Sequence, residues 1–333
     1  MLSLYNFDGK SILSNGGKKV SIIGAGQLGS RYLQGLSKCQ NHLRIYVQDI
    51  SSESLLQAER RWKEVDGPST HHEVSFHAKI KQYLQQLDLA IISTAAHNRP
   101  EVVRELTRHS AVHYWIIEKV LAQSPQGLEE IRIHVGDALA WVNTPRRTVP
   151  WHQRIKTQLQ LNSPLHLTVA GGPWGLACNA VHFLDLMAWW SGESLVTVGS
   201  DQLEDCWTKA KRAGYWEIYG TLTATFSGGS TAKLISGASG DPTYLIQLTD
   251  GNGTWRIDEG KGAAVCTDGT EIPGRLAFQS EMTAALVDGI LDTGDCKLPT
   301  LDASIAIHRV FIDAMLEHWR RHNDPAATFI PIT

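Results

Sequence analysis

The sequence predicts an α/β chain in two units: a doubly wound parallel sheet, then an α+β unit built on a large open, mostly antiparallel sheet. From Lys19 to Asn143 short apolar runs alternate with helical stretches, the rhythm of parallel strands joined by crossovers. Beyond about Pro150 the apolar runs alternate with polar residues and are punctuated by Gly, Asp and Ser, as in hairpins. The first unit is expected over residues 18–145 and the second over 146–333.

Taken in order, VSIIGAG is the first strand and its turn, and Gln27 to Lys38 carries a helical pattern. LRIYVQD is the next strand and Ser52 to Lys63 the next helix, which completes a βαβ unit. Glu73 to His77 reads as a short strand, Ala78 to Leu87 as a helix, LAIIST as a buried strand, Pro100 to His109 as a helix, and YWIIEKV and ALAWVN as further strands. In the second unit LHLTVAG, LVTVGS, GTLTATFSG, STAKLISG, TYLIQLTDG and TWRIDEG read as sheet, interrupted by one helix from about Asn179 to Trp190. Two helices, Phe278 to Leu291 and Leu301 to Arg321, follow, and the last is expected to pack back toward the first unit.

Composition agrees with two cores. At roughly 150 residues per domain, 333 residues give about two. With 31 Lys+Arg against 34 Asp+Glu the net charge is −3, and no basic block could neutralise a run of phosphates, so a nucleic-acid partner is not expected. The first nineteen residues are polar and lack the apolar centre of a signal peptide, and no stretch reaches the roughly 18 apolar residues of a bilayer helix. The expectation is a cytoplasmic protein with no membrane partner. Five scattered cysteines without a CxxC pair support neither a disulfide framework nor a thiolate metal site, so no metal is expected.

Gly24-Ala25-Gly26-Gln27-Leu28-Gly29 follows the first strand directly and opens a helix, the context in which this spacing marks a dinucleotide-binding Rossmann turn. Gly24 permits the tight turn, Gly26 lets backbone approach a pyrophosphate, and Gly29 allows helix-on-strand packing. Asp49 ends the second strand, twenty residues after Gly29, where a carboxylate can accept hydrogen bonds from ribose hydroxyls and would repel a 2′-phosphate. NAD is therefore expected in preference to NADP. A glycine turn that merely joins strand to helix, with Asp49 as a cap, is the bland alternative.

Glu118-Lys119 sits at the carboxyl end of a buried strand, the edge of a parallel sheet where ligands bind. A lysine there can hold a hydroxyl or carbonyl oxygen and exchange its proton. A surface ion pair of the two is the alternative. His182, Asp185 and Trp189 share one helical face, so His182 can point into a cleft while Asp185 steadies it. A histidine amid Phe183, Leu184, Leu186 and Met187 can equally be core.

The glycine turn, Glu118-Lys119, and the segment Asn179-Ala-Val-His182-Phe-Leu-Asp185 together resemble the Gfo/Idh/MocA family of oxidoreductases over nearly the whole chain. The resemblance implies a Rossmann domain joined to an open-sheet domain that binds substrate and pairs chains as a homodimer or homotetramer. It also implies hydride transfer between a nicotinamide and a sugar, an inositol or a derivative. It makes Lys119 and His182 catalytic, puts Thr94 and His97 on the nicotinamide side with Glu118 among the cofactor residues, and places Asn179, Asp185 and Trp174 by the substrate. Two departures matter. Family members commonly carry an aspartate four residues before this histidine, where this chain has Cys178; without a cationic neighbour legible in the sequence, Cys178 reads as a small apolar residue. After the fourth strand Thr94-Ala95-Ala96-His97-Asn98-Arg99 replaces the family's usual pattern, and Arg99, with Arg147 or its neighbour Arg146, invites a substrate anion. Arg146 and Arg147 read equally as solvated surface arginines, and Trp174 as core.

The function expected is thus an NAD-dependent dehydrogenase or reductase acting on a secondary alcohol or ketone of a small, sugar-derived, anionic substrate. The alternatives are a non-catalytic NAD-binding sensor or scaffold of the same fold, and an NAD-using lyase or hydrolase that oxidises its substrate transiently.

Overall fold

The computed structural model describes residues 16–65, 71–78 and 85–333. The first unit runs β1 (Lys18–Ile23), α1 (Gln27–Leu36), β2 (Leu43–Gln48), α2 (Ser52–Lys63), β3 (Glu73–His77), β4 (Gln86–Ile92), α3 (Arg99–His109), β5 (Ala111–Glu118), α4 (Pro125–Val135) and β6 (Leu139–Asn143). Its six strands are all parallel and ordered β3-β2-β1-β4-β5-β6. Strand order reverses between β1 and β4, so the crevice at their carboxyl ends is where a ligand sits in such a sheet.

The central strands read as continuous apolar runs because both faces are covered. Val20, Ile22, Leu89, Ile91 and Ile116 pack on one side with Leu33 and Leu36 of α1, whereas Ile23, Ile92, Trp115 and Ile117 pack on the other with Val103 and Leu128. α2 starts where Ser51 caps the Ser54 N–H at 3.2 Å, and it ends in Arg60, Arg61 and Lys63, which suit the negative end of a helix. The helix expected over Ala78 to Leu87 falls largely on residues 79–84, outside the described residues, and its last two positions, Gln86 and Leu87, already belong to β4. α4 escaped the sequence reading although its start is marked: Ser124 accepts the Gly127 N–H at 3.0 Å and Pro125 opens the first turn.

A 3-10 turn (Pro145–Thr148) and α5 (Pro150–Gln158) lead to β7 (His166–Gly171), α6 (Leu176–Ser191), β8 (Leu195–Leu203), the small strands β9 (Thr208–Lys209) and β10 (Trp216–Glu217), and β11 (Gly220–Phe226). Next come β12 (Thr231–Ser236), β13 (Tyr244–Thr249), β14 (Thr254–Asp258), β15 (Ala263–Cys266), β16 (Glu271–Pro273), α7 (Gln279–Thr293) and α8 (Leu301–His322). Eight strands form one sheet, ordered β16-β15-β14-β13-β7-β12-β11-β8. Every pair is antiparallel except β7 with β12, while β9 and β10 form a separate hairpin. Leu167, Val169, Leu234, Ile246 and Ile257 bury one face; the alternate positions Lys233, Gln247, Arg256 and Val265 are exposed on the other. α7 packs on α1, and α8 lies against α4 and β6 on one side and α6 and β8 on the other. The segment after α7 also adds to the first sheet, since Val142 N–H donates to Pro299 O at 3.0 Å. No helix among the described residues is long and apolar enough to cross a membrane.

Candidate active site

The glycine turn is built for close approach. Gly24 has φ +98°, and a Cβ there would come within 2.9 Å of the Ser93–Thr94 backbone; at Gly29 it would lie 1.8 Å from Gly24 O, so α1 can seat on the turn only as glycine. Gly26 differs. Its φ of −62° and ψ of −162° suit any residue, and no atom lies within 4 Å of a Cβ placed there. Neither strain nor internal crowding calls for glycine at 26; as the N-cap of α1 it leaves the backbone bare toward any group that approaches from outside. Asp49 accepts the Ala25 N–H at 2.6 Å and the Ser51 N–H at 2.8 Å, holding the turn while each oxygen keeps a free lone pair for a ribose hydroxyl. Gln27 is exposed, with its amide oxygen 2.7 Å from the Arg61 guanidinium, and Leu28 packs against the first unit's core. A cavity of about 460 Å³ opens above the turn, lined by Gly24, Gly26, Asp49, Thr94, His97 and Arg212 among others. Thr94 Oγ1 is buried there with no partner among the described residues, and His97 Nδ1 shares a 2.5 Å hydrogen bond with the Tyr215 hydroxyl.

At the end of β5 the two expected residues part. Glu118 turns inward, 3% exposed, where its Oε1 accepts the Tyr32 hydroxyl and the Asn143 amide, both at 2.6 Å. Burial pushes this carboxyl up. Glu118 therefore braces the strand end from beneath, and neither a cofactor contact nor a surface ion pair describes it. Lys119 extends the other way, across to the first turn of α6. Its Nζ donates to Cys178 O at 3.1 Å and lies 3.0 Å from Cys178 Sγ and 3.5 Å from Asn179 Oδ1. The cysteine thus has the cationic neighbour that sequence alone could not supply, so the apolar reading of Cys178 is corrected. Asn179 is held in turn by donating to Trp174 O at 2.9 Å.

His182 stands one helical turn beyond Cys178. Its Nδ1 is buried without a hydrogen-bond partner among the described residues, and burial, then the charges of Arg146 and Lys119, hold the imidazole well below its ordinary pKa. It is a neutral ring within reach of the lysine's field. Glu217, from β10, fixes the start of α6 by accepting the Ala177 N–H at 2.5 Å and the Ile218 N–H at 3.1 Å. That carboxylate was missed in the sequence because its partner is a helix end 40 residues away.

Four residues expected at the substrate are engaged by the protein itself. Arg99 is 1% exposed and donates to the carbonyls of Thr94, Val120 and Leu121, so it ties two strand ends together. Burial pulls its pKa down to about 10. Arg147 and Asp185 answer each other in a two-pronged ion pair, with Nε to Oδ2 at 3.0 Å, so Asp185 does not steady His182 and neither group is free. Trp174 is 6% exposed, donates to Ile235 O at 2.8 Å, and packs edge-on against Phe183 and Tyr244. Arg146 is engaged as well, by Glu259 and by the Tyr244 hydroxyl at 2.8 Å. The arginine argument for a substrate anion therefore has no free guanidinium among Arg99, Arg146 and Arg147.

Away from the cleft, Asp205, His318 and His322 lie close enough to suggest a cation site. His318 Nδ1, however, accepts the Trp207 indole N–H at 3.1 Å, which leaves the proton on Nε2 and no lone pair there for a metal.

Neither a protein-family model nor a curated protein matches the chain. Solved structures do. A UDP-N-acetylglucosamine 3-dehydrogenase from Acidithiobacillus ferrooxidans superposes with a TM-score of 0.67 at 16% identity, covering 90% of this chain and 96% of its own. A scyllo-inositol dehydrogenase from Lactobacillus casei gives 0.67 at 15% identity, covering 93% and 98%. An oxidoreductase from Agrobacterium radiobacter, solved with NAD+, L-tartaric acid and magnesium, gives 0.68 at 14% identity, covering 91% and 96%. The Rossmann-plus-open-sheet fold expected from the resemblance is thus the fold of this chain.

Proposed function

We propose that the chain is an NAD-dependent oxidoreductase acting on a secondary alcohol or ketone of a small polyhydroxylated, sugar-like molecule. One observation carries this reading: Lys119, from the carboxyl end of the first sheet, reaches the Cys178–His182 face of α6 beside a glycine turn whose Gly26 leaves the backbone open to an outside group. The dinucleotide, when bound, supplies the hydride acceptor or donor. The chain's own residues do the rest. The Gly24–Gly29 backbone and the N-terminus of α1 receive the pyrophosphate, and Asp49 receives the ribose hydroxyls and disfavours a 2′-phosphate. Lys119 exchanges its bond to the Cys178 carbonyl for one to the substrate oxygen, holds that oxygen, and passes a proton to or from it. His182, neutral, donates a hydrogen bond to the same oxygen through a ring N–H. Burial and the Arg146 charge oppose a second proton on that ring, so in alcohol oxidation the hydroxyl proton passes to Lys119 in its amine form, and in ketone reduction the Lys119 ammonium returns it. Asn179 orients a neighbouring hydroxyl.

The named structures of similar fold, a sugar-nucleotide dehydrogenase and an inositol dehydrogenase, support the substrate class. Two chains would pair through the exposed face of the eight-stranded sheet. The test is NADH formation from NAD+ across a panel of inositols, sugars and sugar nucleotides, with Lys119→Ala as control. Turnover that the control lacks supports the proposal, and turnover unaffected by the substitution removes the lysine from it. A non-catalytic dinucleotide sensor is the second reading, favoured by Lys119 already having acceptors in Cys178 and Asn179; it requires tight NADH binding and no turnover on any member of the panel.

A further inference from the structure

We propose that Arg212, carried by the β9–β10 hairpin of the second unit, is the cation that clamps the dinucleotide's pyrophosphate, a role resting on the function proposed above. Among the described residues lining the cavity over the glycine turn, Arg212 is the one arginine or lysine, and Asp49 and Glu101 line the same cavity. The turn itself offers neutral N–H groups and the partial charge of one helix end, about half a unit. Among the described residues of this cavity, Arg212 is therefore the group that can give two entering phosphate charges a full counter-charge.

The side chain is built for the task. Ala210 N–H donates to Tyr215 O at 2.9 Å and Tyr215 N–H to Arg212 O at 3.3 Å, closing a tight turn that presents residue 212. The Arg212 guanidinium stacks over the Tyr215 ring at 5.4 Å, and the Tyr215 hydroxyl bonds His97 on the first unit at 2.5 Å. Behind the turn, Trp216 N–H donates to Pro331 O at 2.9 Å. Whereas the guanidinium groups of Arg99, Arg146 and Arg147 are engaged, that of Arg212 is exposed and makes no ion pair or hydrogen bond among the described residues. Its charge also contributes to the lowered pKa values of His97 and Arg99, as its position between the two units requires. A cation from one unit set over a glycine turn from the other would make dinucleotide binding a contact of both.

The experiment is NADH binding by fluorescence titration at low and high salt, for the wild-type chain and the R212Q and R212K variants, with trypsin cleavage after Lys211 and Arg212 in the wild type as a second readout. R212Q is expected to weaken NADH roughly 30-fold and to flatten the salt dependence, with R212K between it and wild type. Bound NADH is expected to protect the hairpin from trypsin. If wild-type protein binds NADH and R212Q binds within twofold of it, the Arg212 assignment is overturned while the functional reading stands. If the wild type binds no NADH, both fall.

Discussion

Substituting Gly26→Ala separates a nucleotide site from a mere strand-to-helix turn. The glycine has φ −62° and ψ −162°, which alanine adopts freely, and a Cβ at that position meets no atom within 4 Å. The stability cost should be small: the poorer helix cap and the stiffer unfolded chain oppose each other, leaving a change within about 0.5 kcal/mol. The methyl instead occupies the space a pyrophosphate oxygen needs. Pushing that oxygen off one or two backbone N–H groups forfeits charge-assisted hydrogen bonds worth roughly 3 kcal/mol together, or about 100-fold in Kd for NADH. Gly29→Ala is the contrast. Its Cβ would lie 1.8 Å from Gly24 O, so α1 must retreat by more than about 1 Å, with a stability loss of about 1–3 kcal/mol. Thermal melting and NADH titration of both variants suffice. A Gly26→Ala protein that binds NADH like wild type, or that melts as low as Gly29→Ala, would refute the reasoning.

Other outcomes follow from the same geometry. Lys119→Ala should cut kcat by about 10²–10⁴-fold on any substrate the wild type turns over, with NADH affinity changed less than twofold, as steady-state and binding measurements can check. Asp185→Ala strips the half-buried Arg147 of its buried partner and should cost about 3 kcal/mol in a denaturant titration; a cost under 1 kcal/mol would contradict the pairing. Burial lowers His308 from an ordinary 6.5 to about 4. Between those values the unfolded chain binds the proton and the folded chain does not, so stability falls as pH drops from about 6.5 toward 4, by up to about 3 kcal/mol from this group. His308→Gln should flatten the melting-temperature profile in that window, and an unchanged profile would exclude His308 as its source.

How far the sequence could be read depended on the range of each interaction. The glycine turn was legible because all its partners lie within the turn and the adjoining strand ends, and β3 and α2 were found with their observed boundaries for the same local reasons. Lys119 and Asn179, which the sequence reading set in one site, come within 3.5 Å of each other, since a strand end and a helix start determine where they go. Arginine partners were not legible. Asp185 was read as support for His182 from helical spacing, yet Arg147 outcompetes that role from 38 residues away, and nothing in the spacing distinguishes a carboxylate that faces a ring from one that faces a guanidinium. Arg99 looked like a free cation because the carbonyls it binds belong to the ends of other strands. The hairpin bearing Arg212, Tyr215 and Glu217 carries no local motif, and its meaning arises only when the second unit is laid against the first.

A crystal structure with NAD+ bound, soaked with an oxidised or reduced polyol from the panel, would test the core of this account. The prediction is a pyrophosphate on Gly26 and a substrate oxygen beside nicotinamide C4 with Lys119 Nζ and a His182 ring nitrogen each about 3 Å from it. A nicotinamide lodged elsewhere, or an oxygen that only one of the two nitrogens can reach, would contradict it.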